Sequence, residues 1–348
     1  MQVAVIGTGT IETVIEVPHL DLAGLKVTYD ERAFRGIGGS ALNIALRLRA
    51  MGIDAIPLFP YGDDEIGRKL VDSIILKDNY SLKIHMLSPI HRATTNESLI
   101  LVEPTGKKCN ISKTGVGQDI FPEMVESWFG QNIERVGAVV ISHIRQETAK
   151  NPITSTLCKK IRSSRQNVPI FFNPGLSQYQ IGLHQYTEVL SMVNVLQLGR
   201  DELLVFMGSG PGENKNWIPL FEELLQMMSC LIVTLGESGA IVSRKDGVIY
   251  NVPPYQLGRM IRDSTGAGDA FLAGFVYGYL EGKDDVDSLD LARRSAAFAC
   301  LSFGGVSQIP TKSSLLRLEE KLGNIEPIQV LSYEECLKYF KSFRVSGV

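Results

Sequence analysis

The sequence predicts an α/β protein built on a mostly parallel sheet with helices on both faces. The first observation is that short apolar strands alternate with helical patterns along most of the chain. Repeated β-α units of this length favour parallel strands joined by crossover helices. The second is that strand ends carry glycines and polar residues, as in Leu235-Gly236-Glu237-Ser238-Gly239. In open sheets of this kind, ligands bind beyond the carboxyl ends of the strands.

The N-terminal part of the chain contains three predicted strands and two predicted helices. Apolar runs predict strands over residues 2–6, 11–17 and 55–59. Helical spacing of apolar residues predicts one helix over 41–51, ended by Gly52, and another that ends near residue 76. Gly7-Thr8-Gly9 follows the first strand. Because no third glycine and no helix come next, we discount a dinucleotide site there.

Residues 81–118 differ from the rest because they show no long helical pattern. Apolar runs at 99–103 and 108–112 flank Pro104-Thr105-Gly106, which predicts a hairpin and a small β excursion from the main sheet. The alternation resumes with predicted strands over 136–141, 168–172, 193–198 and 230–234, a hairpin over 240–243 and 248–251, and an alanine-rich helix over 287–303. Residues 312–348 carry a charged helical pattern and a short apolar run at 328–331.

The composition excludes several classes of function. The chain has 348 residues, of which 44% are hydrophobic and 21% charged, and its net charge of -3 gives no electrostatic case for nucleic acid or an acidic membrane. No apolar run approaches the ~20 residues that span a bilayer, and the N-terminus reads as a first strand, not a signal peptide. Five dispersed cysteines argue against disulfides and zinc. We therefore expect a cytoplasmic protein with reduced thiols.

The stretch Asp263-Ser264-Thr265-Gly266-Ala267-Gly268-Asp269 precedes an apolar helical run and carries the clearest chemical signal. The small residues Gly266, Ala267 and Gly268 leave backbone N–H groups bare at the start of a helix, which makes an anion site. Asp269 lies just inside that site, where a carboxylate is useful as a base toward a hydroxyl that attacks phosphorus. The alternative is a glycine-rich turn in which Asp269 only favours the helix dipole.

Four ordered motifs resemble the ribokinase-like family of sugar kinases, also called the PfkB family. They are Gly38-Gly39-Ser40-Ala41-Leu42-Asn43-Ile44-Ala45, Gly62-Asp63-Asp64-Glu65-Ile66-Gly67, Val233-Thr234-Leu235-Gly236-Glu237-Ser238-Gly239, and the stretch ending in Asp269. In the last, Asp263-Ser264-Thr265 stands where the family usually has Asp-Thr-Thr. The motifs cover roughly residues 2–310 and are specific for the family, not for a substrate.

The resemblance implies a ribokinase-like three-layer α/β/α sandwich with a mostly parallel central sheet and a small β lid. The whole chain, residues 1–348, would form one kinase domain. Residues of about 8–36 and 90–118 would contribute the lid, and 312–348 would be a C-terminal extension packed on the domain. The implied activity is ATP-dependent phosphorylation of a hydroxyl on a sugar or a sugar-containing small molecule.

The resemblance also implies roles for individual residues. Asp269 would be the catalytic base, and the N–H groups of Gly266, Ala267 and Gly268 would hold the charge of the transferring phosphoryl group. Substrate contacts would come from the lid residue at position 12 and from Gly38, Gly39 and Asn43. The residues that would border ATP are Thr234, Gly236, Gly239 and Thr265. Mg²⁺ would bind to the ATP phosphates. Asp263 and Thr265 would lie at a monovalent-cation site that suits K⁺.

Two positions depart from the family pattern. Glu12 occupies the lid position where the family usually has Asp, so the pocket or the substrate should differ, although an exposed strand glutamate is an equal alternative. The family's Asn-x-x-Glu motif, linked to magnesium, appears as Gly199-Arg200-Asp201-Glu202. The glutamate Glu202 is kept for a water-mediated magnesium contact and the asparagine is lost. This change implies either a weaker affinity for magnesium or a direct contact of Arg200 with a phosphate, although a solvated charge is an equal alternative for Arg200. Asn173 could join the magnesium water network.

Several alternatives stay open at the level of sequence. The substrate could be an adenosine-like nucleoside. Aromatic lid residues that stack on a base would favour it, but the lid candidates Tyr29 and Phe34 do not decide between a nucleoside and a sugar. The chain could also be a non-catalytic sugar or nucleotide sensor. Arg92 and Arg145 could bind a substrate phosphate, but solvated charges are the simpler account. Asp63 and Asp64 fit a capping and turn role. An exposed lid edge makes a homodimer through the lid plausible.

Overall fold

The computed structural model describes residues 1–21, 33–77, 87–104, 108–115, 121–164, 167–208, 218–306, 308–318, 322 and 325–341. Within these residues, thirteen strands form two sheets. The strands are β1 (Gln2–Gly7), β2 (Thr10–Glu16), β3 (Phe34–Gly38), β4 (Asp54–Leu58), β5 (Glu97–Val102), β6 (Lys108–Lys113), β7 (Val136–Ser142), β8 (Ile170–Asn173), β9 (Val195–Gly199), β10 (Cys230–Thr234), β11 (Ala240–Arg244), β12 (Ile249–Val252) and β13 (Gln329–Leu331).

The main sheet has nine strands in the order β13-β12-β11-β10-β9-β8-β7-β1-β4. The six strands from β10 to β4 pair in parallel, whereas β11, β12 and β13 join by antiparallel pairing. The predicted mostly parallel sheet is therefore confirmed. Because the parallel strands all end at one edge, Ser142, Asn173, Gly199 and Thr234 are brought to the same side of the sheet.

Helices cover both faces of the main sheet. They are α1 (Ser40–Ala50), α2 (Glu65–Lys77), α3 (Phe121–Asn132), α4 (Ile153–Ser164), α5 (Leu176–Tyr179), α6 (Leu183–Met192), α7 (Arg200–Phe206), α8 (Ile218–Met227), α9 (Ala267–Leu280), α10 (Asp285–Ala299), α11 (Lys312–Leu316) and α12 (Tyr333–Lys341). Among the described residues, no helix is long and apolar enough to cross a membrane.

Two hydrophobic cores lie on opposite faces of the main sheet. Val3 and Val5 of β1 enter one core, together with apolar residues of α1, α9 and α10. Ala4 and Ile6 enter the other, which is completed by α2, α3, α4, α6, α7 and α8. This alternation along β1 is the period-two pattern of a strand buried on both faces. The predicted three-layer α/β/α sandwich is confirmed.

Four strands form a second, smaller sheet in the order β3-β2-β5-β6, called the lid sheet below. β2 pairs with β3 and β5 pairs with β6 in antiparallel fashion, while β2 and β5 are parallel. The register aligns Gly36, Glu12, Ser98 and Ser112 in one row across the four strands. One small hydrophobic cluster of this sheet consists of Val14, Ile100 and Val102. Phe34 of β3 and Phe303 of the main body pack against it.

The predicted hairpin strands at 99–103 and 108–112 correspond to β5 and β6, and the Thr105-Gly106 turn between them lies outside the described residues. Tyr29 lies outside them too. Two expectations were wrong. Residues 34–38 form strand β3, which the sequence did not predict, and α10 ends at Ala299 instead of reaching residue 303. The residues after Ala299 form a loop instead of a further helical turn, and the Gly304 N–H of this loop donates to the carboxylate of Asp263.

The described part of residues 312–348 packs on the main sheet. β13 adds to β12 at the sheet edge, with Val330 opposite Tyr250. Leu315 of α11 and Cys336 of α12 are buried in the two cores. These contacts extend the antiparallel side of the sheet, at the end remote from β1 and β4.

Candidate active site

The N-terminus of α9 lies at the carboxyl edge of the main sheet. Gly266 is its N-cap residue and adopts a left-handed conformation, with φ 74° and ψ 9°. A Cβ atom at this position would lie 3.1 Å from Gly305 Cα, so both the conformation and the space favour glycine. Asp269 follows in the first helical turn and is buried. The helix start thus places backbone N–H groups, of which that of Ala267 donates to Ser264 O over 3.2 Å, close to a fixed carboxylate.

Both carboxylate oxygens of Asp269 accept hydrogen bonds from other elements. Ser40 Oγ, at the start of α1, donates to Oδ1, and Asn43 Nδ2 donates to Oδ2 over 2.8 Å. Asn173 Nδ2, at the end of β8, approaches Oδ1 at 3.4 Å. The Ser142 hydroxyl, at the end of β7, hydrogen-bonds to the Ser40 hydroxyl. These donors fix the direction of the carboxylate.

Asn43 and Glu12 each present a buried oxygen that has no hydrogen-bond partner in the described part of the chain. On Asn43 this is Oδ1, since Nδ2 is engaged by Asp269. On Glu12 it is Oε2, since Oε1 accepts from the Gly39 N–H over 3.0 Å. A Cβ atom at Gly38 would lie 2.1 Å from the Glu12 carboxyl carbon, so only glycine leaves room for this side chain. Buried acceptors without donors indicate a place for a hydroxyl-bearing ligand.

The side chain of Glu12 is buried. It contacts Gly38 and Gly39, so the structure brings together these three residues that the sequence predicted for the site. The exposed-strand alternative for Glu12 is wrong. Burial raises the pKa of Glu12 to about 7; Asp269 and Asp263 add to the shift, while the Gly39 N–H and Arg145 oppose it. Its charge therefore changes near neutral pH.

Asp263 and Thr265 lie on the loop that leads into α9. The buried carboxylate of Asp263 accepts from the Thr265 N–H over 2.8 Å and from the Gly304 N–H over 2.9 Å, which ties this loop to the one after α10. Thr265 Oγ1 is buried and has no partner among the described residues. An unpartnered hydroxyl beside a carboxylate fits a monovalent cation, because such ions are bound by oxygen ligands.

Thr234, Gly236 and Gly239 lie where β10 turns into β11. Thr234 ends β10, and a short 3₁₀ turn (Gly236–Ser238) follows it. Gly236 faces open space, whereas a Cβ atom at Gly239 would lie 2.1 Å from Val252 O. Gln197 Nε2 of neighbouring β9 donates to Gly268 O over 2.8 Å, which connects this side of the sheet to the start of α9. Phe298 packs into a small apolar group with Tyr255 and Leu257.

Glu202 is engaged in capping its own helix. Its Oε2 accepts from the Gly199 N–H over 2.7 Å, which forms a capping box at the start of α7. The described residues contain no group of three or more His, Cys, Asp or Glu side chains placed to hold a metal ion. The water-mediated magnesium contact of Glu202 stays a prediction.

Asp63 and Asp64 have the turn and capping role that the sequence predicted. Asp64 Oδ1 accepts from the Gly67 N–H over 2.8 Å at the start of α2, and its Oδ2 accepts from the Thr95 N–H over 2.9 Å. Asp63 Oδ1 accepts from the Arg92 N–H over 3.0 Å. Both carboxylates thus tie the start of α2 to the segment that leads into β5.

Sequence reasoning missed several residues around Asp269. Ser142 and Gln197 contact the site only because their strands end at the same sheet edge, which no sequence spacing reveals. Arg47 is 1% exposed, and its Nη1 donates to Asn43 O over 3.2 Å. Burial lowers the pKa of Arg47 to about 10, so it remains a cation near Asp269. The sequence could have indicated Arg47, because Asn43 and Arg47 lie four residues apart in α1 and therefore share one face of that helix.

Comparison with known proteins identifies the family of this chain. The pfkB family carbohydrate kinase model matches residues 2–312. Ribokinase of Bacillus subtilis is 25% identical over 91% of this chain and 98% of its own length. The 5-dehydro-2-deoxygluconokinase of Clostridium perfringens is 25% identical over 82% of this chain and 84% of its own.

Solved structures show the same fold at lower identity. A nucleoside kinase of Burkholderia thailandensis, in complex with inosine, has a TM-score of 0.72 and 16% identity, covering 94% of this chain and all of its own. Arabidopsis thaliana ribokinase, complexed with ribose and ATP, has a TM-score of 0.69 and 18% identity, covering 91% and 97%. The chain is therefore a small-molecule kinase that belongs to the pfkB family of carbohydrate kinases.

Proposed function

We propose that Asp269 is the catalytic base in ATP-dependent phosphorylation of a sugar hydroxyl. The hydroxyl loses its proton to Asp269 and its oxygen attacks the γ-phosphorus, from which the ADP oxygen departs. Backbone N–H groups of Gly266, Ala267 and Gly268 stabilise the charge on the transferring phosphoryl group. The observation that carries this proposal is the carboxylate of Asp269, held by Ser40 and Asn43 at the N-terminus of α9.

The substrate end of the proposed site consists of Glu12, Gly38, Gly39 and Asn43. The unpartnered oxygens of Glu12 and Asn43 would accept hydrogen bonds from sugar hydroxyls, and the two glycines allow the sugar to approach the backbone. The relatives are named for ribose and for 5-dehydro-2-deoxygluconate, which are different classes of sugar. The identity of the sugar therefore depends on side chains outside the shared motifs.

The nucleotide end would be bordered by Thr234, Gly236, Gly239 and Thr265. We assign Mg²⁺ to the ATP phosphates, where it would neutralise charge during transfer, with Glu202 contributing through water. Asp263 and Thr265 would hold a monovalent cation such as K⁺, which is supported by the unpartnered hydroxyl of Thr265.

The organisation of the molecule is part of the proposal. Residues 1–348 would act as one kinase domain, with a lid from about 8–36 and 90–118 and an extension at 312–348. The protein would work in the cytoplasm. We also propose that two copies associate through their lid sheets, since β6 is exposed along its whole length at a sheet edge and carries Ile111 beside Leu99.

The substitution Asp269→Asn tests the assignment of the base. It keeps the size of the side chain and removes its basicity, so we expect turnover to fall by about 10²–10⁴-fold with ATP binding retained. Steady-state ADP release and equilibrium ATP titration measure the two quantities. Asp246→Asn, at an exposed turn, is the matched control and should leave both unchanged. Near-normal turnover in Asp269→Asn would rule out this mechanism.

A screen of ADP release over pentoses, hexoses, sugar phosphates and nucleosides separates the remaining alternatives. A nucleoside kinase on this scaffold would turn over adenosine or inosine faster than any free sugar. The aromatic side chains of Phe34, on β3, and of Phe303, in the main body, pack against the same small hydrophobic cluster of the lid sheet. A non-catalytic sensor would bind ligands from the panel and form no ADP with any of them.

A further inference from the structure

Arg145 connects the main body to the lid sheet. It lies on the loop that follows β7, and its Nη2 donates to Ser98 Oγ of β5 over 3.1 Å. Its Nη1 reaches Lys113 O, at the end of β6, over 3.4 Å. Ser98 lies in the lid-sheet row that also contains Glu12 and Ser112. The guanidinium therefore lies at the side of the cleft that Glu12 lines, not in bulk solvent.

No carboxylate of the described residues forms an ion pair with Arg145, and its hydrogen-bond acceptors there are neutral oxygens. Glu12 is the charged group that acts on it, but the Glu12 carboxylate is held by the Gly39 N–H. A half-buried guanidinium has lost much of its hydration and retains its full charge. Among the described residues, the Arg145 guanidinium therefore has no anion in direct hydrogen-bonded contact, and a ligand can supply one.

The loop that carries Arg145 is held in place by several contacts. His143 and Gln146 are non-glycine residues with positive φ, 51° and 58°, a conformation that persists only where the surroundings enforce it. Thr8 Oγ1 donates to His143 O, and the Ile144 N–H donates to buried Gln178 Oε1 over 2.9 Å.

On the other side of Arg145, the buried carboxylate of Glu147 anchors the loop to α4. It accepts from the Thr154 N–H over 2.8 Å and also from the Thr154 hydroxyl. Gln178 Nε2 donates to the same Thr154 hydroxyl over 2.7 Å. Two strained residues and a buried acid, none of which the phosphoryl transfer uses, thus fix the position of one cation.

We propose that Arg145, with the hydroxyl of Ser98, binds an anionic group of the substrate, so that this kinase acts on an acidic sugar, either a sugar carboxylate or a sugar phosphate. The inference rests on the proposed kinase function and specifies its substrate class. A guanidinium binds carboxylate or phosphate oxygens through two parallel hydrogen bonds. A neutral sugar or nucleoside would leave that charge uncompensated in the closed cleft, which disfavours its binding.

Matched ligands test this inference: glucose, gluconate and glucose 6-phosphate, then fructose and fructose 6-phosphate. Each is titrated calorimetrically in the presence of a non-hydrolysable ATP analogue, and ADP release is measured with ATP. We expect an acidic member to bind about 10- to 100-fold more tightly than its neutral partner. Preference for gluconate identifies a carboxylate, and preference for a sugar phosphate identifies a phosphate.

Variants at both ends of β7 separate the role of Arg145 from general charge effects. Arg145→Gln should abolish the preference for the acidic ligand, because it weakens acidic binding and removes the penalty on neutral binding, while Arg145→Lys should retain part of the preference. Arg135→Gln removes an exposed arginine at the opposite end of the same strand and should change nothing. Equal binding of neutral and acidic ligands, binding of no acidic ligand, or an unchanged preference in Arg145→Gln would each overturn the inference.

The two readouts distinguish this inference from the proposed function. If acidic sugars bind in an Arg145-dependent way and no ADP is released, the kinase proposal fails and the anion site stands. If ADP is released with neutral sugars alone, the kinase proposal stands and the anion site fails.

Discussion

Glu12 is a carboxyl group whose ionisation is linked to folding. Burial raises its pKa from the ordinary value of 4.5 to about 7. The folded chain therefore binds a proton on Glu12 that the unfolded chain releases between these two values. It follows that this group's contribution to the free energy of unfolding is most favourable at low pH and declines as pH rises through this window.

Glu12→Gln should reveal that dependence. Glutamine keeps the acceptor for the Gly39 N–H and cannot ionise, so the variant should gain about 2–3 kcal/mol in unfolding free energy relative to wild type between pH 5 and pH 8. Urea denaturation at several pH values measures the difference. Glu223→Gln, at an exposed position of α8, serves as the control. A gap that is constant with pH would contradict the buried, titrating state of Glu12.

Residues in short motifs were the most predictable part of the site. Gly266, Gly268 and Asp269 lie within four positions of one another, so a glycine-rich helix start that carries a carboxylate could be predicted from their order. Their roles as an anion site and a base stay predictions. The contact of Arg145 with Ser98 could not be predicted, because it joins a loop of the main body to strand β5 of the lid sheet, 47 residues away in sequence. The sequence suggested a solvated charge for Arg145, and only the position of the lid sheet makes it a cleft residue.

At the scale of elements, α9 packs closely on α10 through glycines. A Cβ atom at Gly274 would lie 2.5 Å from Leu291 O, and one at Gly278 would lie 2.6 Å from Ser288 Oγ. The two glycines are four residues apart and so lie on the same face of α9. Close approach of α10 leaves its C-terminal loop beside Asp263 and Gly266, so helix packing contributes to the geometry of the site.

Gly274→Ala should separate the two helices slightly. Because the clash is with backbone, we expect a loss of about 1–3 kcal/mol in unfolding free energy and a lower turnover. Gly130→Ala is the matched control: it lies within α3 with nothing within 4 Å of the new Cβ atom, and it should stabilise by about 0.5–1 kcal/mol. Chemical denaturation tests both, and equal effects of the two substitutions would refute the close packing.

Element prediction failed where local composition opposes the observed structure. β3 contains Gly36 and Gly38 among its five residues, and glycine disfavours strands. Glycine is needed in that strand because a Cβ atom at Gly38 would lie 2.1 Å from the Glu12 carboxyl carbon, and one at Gly36 would lie 2.4 Å from the Phe34 ring. The strands of the main sheet, by contrast, are continuous apolar runs, and β10 was predicted at its observed bounds.

At the scale of the whole molecule, the lid sheet exposes an edge and an apolar side chain that the main body does not cover. Ile111 of β6 is 55% exposed and stands opposite Leu99 of β5. An unprotected strand edge of this kind is a template for pairing with another chain. Association of two lid sheets would cover it and would couple the two clefts.

Ile111→Lys tests that association. Introducing a charge at the lid edge should convert a dimer to a monomer, measured by light scattering after size-exclusion chromatography at micromolar concentration. Leu316→Lys is the control, since Leu316 is equally exposed but lies on α11. The association through the lid would be disproved by a monomeric wild type, or by a dimer that survives Ile111→Lys.

The fold class was predictable because β-α alternation is a local property that repeats along the chain. The order of strands was not, since β1 lies between β4 and β7, and nothing in their sequences specifies these neighbours. The division of the early strands between two sheets was predicted only through the family resemblance. Periodicity identifies a strand, but pairing depends on the whole molecule.

The central pair of the lid sheet joins segments that are distant in sequence. β2 pairs in parallel with β5, with Ile11 opposite Glu97, and β3, α1, β4 and α2 lie between them in the chain. Because α1, β4 and α2 belong to the main body, their docking brings β2 and β5 within reach and lowers the entropy lost on pairing. The lid sheet should therefore form late during folding. A refolding chain would recover its main sheet first and its ability to select a substrate last.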